Sequence, residues 1–95
     1  MLRAEIISNQ SVQDNILELL NQELPELEYT IIPEVNGVGK NSQKLGDVVW
    51  PEMNFVLFTY VSEEDAKKIK AIFNAVKQKF PREGLSLFFT QCVEI

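Results

Sequence analysis

The stretch Asn36-Gly37-Val38-Gly39-Lys40 sets two glycines and a cation at a spacing that suits close backbone approach to an anion. It lies within residues 33–47, which hold three of the chain's four glycines and two lysines. The common phosphate patterns do not fit. A P-loop needs glycine five positions before Gly39 and a hydroxyl residue after Lys40, but Glu34 and Asn41 stand there. A dinucleotide turn needs a third glycine opening a helix, but Ser42 occupies that position and the next apolar pattern is a strand. Spacing alone leaves two readings open: a plain turn that requires positive φ, which is the simpler one, or the base of an anion-binding loop.

Other residue types offer less chemistry. There is no histidine, which removes the commonest metal ligand and the commonest general base near neutral pH. Cys92 is the only cysteine, so no intrachain disulfide or thiolate cluster can form. It stands in an apolar pattern, as a core thiol would. Glu63, Glu64 and Asp65 follow Ser62 and read as a carboxylate cluster at a helix start, where the positive end of the dipole favours them. No nucleophile and base can be paired, so the expectation is a protein that is not an enzyme.

The net charge of −5 speaks against a nucleic-acid partner, which would call for a basic face. Charge is uneven along the chain. Residues 1–36 carry one arginine against seven acidic residues, whereas 37–95 carry eight basic and seven acidic groups, so the second half better receives an anion. Ninety-five residues suffice for a single domain over 1–95. No apolar run approaches the roughly 20 residues of a membrane span and no leader pattern opens the chain. A cytoplasmic location without membrane insertion is therefore expected.

The elements that must position these residues follow from periodicity. Residues 2–8 read as a strand. Ser11 with Asp14 resembles a capping box opening a helix over 11–23, whose apolar face is Val12, Ile16, Leu19, Leu20 and Leu24. Residues 28–36 read as a second strand, with Pro33 marking an edge or a bulge. Residues 53–61 form the clearest strand, and Ser62 caps a helix whose apolar face runs Ala66, Ile69, Ile72, Phe73, Val76 and Phe80. Pro81 ends it, and 85–93 is the last strand. The order βαββαβ predicts an α+β, ferredoxin-like fold, an antiparallel sheet with both helices on one face. Strand 53–61 has a second apolar set, Val56, Phe58 and Tyr60, and the last strand adds Phe88. A sheet covered on one side only should be polar on the other. A second copy of the chain is the simplest cover, so a homo-oligomer is expected.

With the loop and the order of elements in place, the chain resembles the PII-like signalling proteins along nearly its whole length. The resemblance is carried by "TIIPEVNGVG" entering the loop, "VVWPEMNFVLFTYVSEED" leaving it, and "KFPREGLSLFFTQCVEI" at the end. It implies a ferredoxin-like fold, a homotrimer, and a small anionic effector in the clefts between subunits, an adenine nucleotide such as ATP or ADP. Gly37, Gly39 and Lys40 then stand where the family's phosphate-side glycines and basic residue stand. The family's Gly-Asp-Gly-Lys turn corresponds to Arg82-Glu83-Gly84-Leu85, which keeps Gly84 and offers Arg82 as the cation. The loop over 37–50, with Asn41, Ser42, Gln43, Lys44, Leu45, Gly46 and Asp47 at its centre, would act on a regulated protein such as a transporter or an enzyme. The chain departs from the nitrogen-sensing members in a loop of about half their length without a modified tyrosine. It also has Asn41 in place of glutamine, and no basic tail. It looks like a short-loop variant. A CutA-like trimer, binding metal or serving a structural role, is the alternative on the same fold, with carboxylates as its only hard ligands.

Overall fold

The computed structural model describes residues 1–38 and 52–95, and places them in a four-stranded antiparallel sheet with two helices. The elements are β1 (Leu2–Asn9), a 3-10 turn (Gln10–Val12), α1 (Gln13–Glu23), β2 (Thr30–Gly37), β3 (Glu52–Val61), α2 (Glu63–Lys79) and β4 (Leu85–Gln91). Strand order is β2-β3-β1-β4, the order of the ferredoxin-like fold. The expected α+β architecture is the one observed.

Alternation fixes which side of the sheet is core. Ala4, Ile6 and Ser8 of β1 lie opposite Thr59, Leu57 and Phe55 of β3, and all six are buried. The helices close over this face with Ile16 and Leu20 from α1, preceded by Val12 of the 3-10 turn, and Ile69, Ile72, Phe73 and Val76 from α2. Full burial of each large side chain contributes about 1.5–3 kcal/mol. Two polar groups share the core and both are satisfied. The Thr59 hydroxyl donates to the Glu28 carbonyl at 2.6 Å, and the Ser8 hydroxyl to the Asn9 carbonyl at 3.2 Å.

The start of α2 forms as its sequence dictates. Ser62 Oγ accepts the Asp65 N–H at 3.2 Å, with Glu63, Glu64 and Asp65 in the first turn. Its five lysines, 67, 68, 70, 77 and 79, are exposed. The Phe80 N–H closes the last turn on the Val76 carbonyl at 2.9 Å, and Pro81 follows.

Local expectations are corrected in three places. The Ser11–Asp14 capping box does not form, because Asn9 Oδ1 takes the Ser11 N–H at 2.9 Å and caps a 3-10 turn instead. The α-helix proper starts at Gln13 behind Val12, which has no capping side chain. Cys92 is not a core thiol. Pairing between β4 and β1 ends at Leu2 with Gln91, so Cys92 falls beyond the strand, half-exposed, with its amide on the Met1 carbonyl. The second strand begins at Thr30, two residues later than its β-rich run suggested.

Pro33 marks both an edge and a bulge. β2 is an edge strand, and its register with β3 shifts between Ile32 and Val35, leaving Pro33 and Glu34 without partners.

Candidate functional site

Strand directions bring the described members of the predicted set, Gly37, Arg82 and Gly84, to one end of the sheet. β1 ends there at Asn9, opposite Asn54 of β3. β2 ends there at Gly37, opposite Glu52. β4 begins there at Leu85, opposite Ser8, with Gly84 and Arg82 just before it. Gly37 is half-buried, whereas Arg82 and Gly84 are exposed.

The same topology keeps them from forming one pocket within a single chain. Gly37 belongs to one edge strand and Gly84 adjoins the other, with β3 and β1 between them. Three strand spacings amount to about 14 Å. Gly39, Lys40 and the loop residues Asn41, Ser42, Gln43, Lys44, Leu45, Gly46 and Asp47 lie outside the described residues.

Between the two edges sits a feature that periodicity did not single out. The turn after β1 reaches both ways. The Asn9 N–H donates to the Gly84 carbonyl at 2.9 Å. Next to it, Gln10 Nε2 donates to the Pro33 carbonyl at 2.7 Å, on the bulge two strands away. The bulge takes Pro33 out of the ladder, and the glutamine amide supplies its carbonyl with a donor.

The face of the sheet turned away from the helices is the second candidate surface. Ile7 and Val56 of the central strands, with Ile32 of β2, form one apolar row. Phe58 and Phe88 flank Glu5 in the next, and Tyr60 lies opposite Arg3 in a third. Ile32, Tyr60 and Phe88 are 44, 51 and 55% exposed, so no part of the described chain covers them. Arg3 is the only cation of the first 36 residues, and its guanidinium sits over these aromatics. Its guanidinium carbon is 4.3 Å from the Phe58 ring centroid, and one N–H donates to the Tyr60 hydroxyl at 2.9 Å. The two rings meet edge to face with centroids 6.3 Å apart.

At the opposite end of the sheet, a cleft of about 580 Å³ opens between the turn after α1 and the start of α2. Glu23, Glu26, Glu28 and Asp65 line it with Lys68 as the one cation. Its balance suits no anion, and Gly37, Arg82 and Gly84 are not among its lining residues. Among the described residues no three acidic or cysteine side chains are grouped to hold a metal ion. No described helix is long and apolar enough to cross a membrane.

No protein-family model matches the chain, and no curated protein matches it. Solved structures do. CPII, a nitrogen regulatory PII-like protein from Thiomonas intermedia K12 bound to ADP, AMP and bicarbonate, superposes with a TM-score of 0.69 at 18% identity, over 94% of this chain and 86% of that one. Its apo form gives 0.63 at 15% identity, over 96% and 89%. A Thermus thermophilus protein described as a PII-like signalling protein gives 0.60 at 24% identity, over 94% and 83%. Each match runs over most of both chains, and the fold of this chain is the fold of these PII-like structures.

Proposed function

We propose that the protein is a non-enzymatic PII-like regulator that assembles as a trimer and binds an adenine nucleotide in the clefts between subunits. The observation that carries this reading is the placement of Gly37 and of Arg82 with Gly84 at the same end of the sheet but on opposite edges. Neither edge alone offers more than half a site. A neighbouring copy that sets its β4 side beside the β2 edge would bring the two halves together. The glycines would then allow backbone approach to phosphate, while Arg82 and Lys40 supply charge. The apolar outer face of the sheet, with Phe88 and Tyr60 exposed, supports burial against further copies. The Thiomonas fold neighbour holds ADP and AMP, which makes these the first ligands to try.

In this reading the segment over 37–50 reports occupancy to a protein partner. The test is light scattering followed by calorimetry with ADP, AMP and ATP in turn. The expected result is the mass of three chains and a saturable heat with at least one nucleotide, weakened in Arg82→Ala and Lys40→Ala without loss of the trimer. A monomer in solution, or no heat from any of the three, overturns it.

A further inference from the structure

Two hydrogen bonds where β1 gives way to its turn reach toward both edges of the sheet at this end. One ties Asn9 to Gly84, ahead of β4, and the other ties Gln10 to Pro33, four residues before Gly37. Between Pro33 and Gly37 the edge strand has just lost and regained register, and among the described residues three pairs, Val35 with Asn54, Asn36 with Met53 and Gly37 with Glu52, fix its new course. A bulge bends its strand, and the bend sets where the following residues lead. Here the bend is anchored by a side chain from outside the ladder.

We infer that Gln10 is a positioning residue. Its amide N–H holds the bulge at Pro33, sets the course on which β2 delivers Gly37, and couples that course through Asn9 to the Gly84 turn. This rests on the reading of that end of the sheet as the ligand site. The coupling itself is a property of the free chain. A ligand group pressing on the Gly84 turn would move Asn9, and the adjoining Gln10 would pass the shift to the strand leading into the 37–50 segment. No apolar packing is needed for this, only a donor at the right place, which makes the role separable from a structural one.

Two substitutions separate donor from shape. Gln10→Glu keeps the outline of the side chain and removes the donor at neutral pH, whereas Gln10→Lys changes the outline and keeps an N–H donor. Amide hydrogen exchange of the ligand-free protein is read at residues 34–38, with the α2 amides as an internal standard. Gln10→Glu should exchange about threefold to tenfold faster there, in proportion to one lost hydrogen bond, while Gln10→Lys stays near the parent and α2 is unchanged in both. ADP titrated by calorimetry should bind Gln10→Glu several-fold more weakly and recover in Gln10→Lys. If Gln10→Glu exchanges like the parent, or Gln10→Lys exchanges as fast as Gln10→Glu, the positioning role is overturned. If the parent takes up none of ADP, AMP and ATP, the nucleotide reading falls, and the exchange contrast still decides the role of Gln10.

Discussion

The two faces of the sheet are built from the same residue types and meet different fates. On the helix side, Ile6, Phe55 and Leu57 are 2% exposed or less, beneath α1 and α2. On the other side, Ile32, Tyr60 and Phe88 stand open to solvent, with Arg3 and Glu5 of β1 as the charges set among the aromatics. The helix side is finished by the chain's own folding. The outer side carries apolar surface that no described element of the chain covers. The contrast teaches that alternation along β3 feeds two apolar faces, of which folding of the described chain covers one.

This division can be broken most sharply on the inner face. Phe55→Ala leaves a cavity under both helices and should cost about 3–5 kcal/mol, read by urea denaturation. Next comes Thr59→Val, also inside. It removes the donor from the Glu28 carbonyl and should cost about 1–3 kcal/mol, against little change for an exposed threonine such as Thr90. Ser62→Ala removes the cap of α2 and should lower stability by about 1 kcal/mol, seen as a lowered thermal midpoint. Arg3→Gln on the outer face gives up the stacked cation and should cost about 0.5–1 kcal/mol. The smallest effect on the isolated chain is Phe88→Glu, within about 0.5 kcal/mol when measured at high dilution. At working concentration the same substitution should abolish assembly, as read by light scattering. If Phe88→Glu instead destabilises the dilute chain as much as Phe55→Ala, the two faces are not divided in this way.

Much of the frame was legible because its signals are local. Ser62 with its three following acids announces a helix start, and the structure caps it there. Pro33 removes a ladder donor, and the edge strand bulges at that point. The Ser11 box failed because a competing acceptor, Asn9, sits two residues upstream and takes the Ser11 amide first. Such contests between neighbouring polar side chains leave no periodic trace. The candidate site was legible in part. The topology places Gly37 and Gly84 at a common end, as the order of elements required. Their separation by two central strands could not be read from spacing, since it depends on sheet order rather than on sequence distance. The contact of Gln10 with Pro33 joins residues 23 apart through one side-chain amide, and nothing in either residue's surroundings advertises it.

One further consequence lies in the unequal margins of the sheet. The β2 margin is blunted, since Pro33 has no amide hydrogen to offer and the bulge throws the strand out of line. The β4 margin, "LSLFFTQ", carries no charge, no proline and no register shift. Endless strand-on-strand growth demands two adhesive margins per molecule, and this sheet has one. A stray encounter along β4 would therefore stop at a pair of sheets, which gives a chain so rich in exposed aromatics a built-in brake on fibril growth.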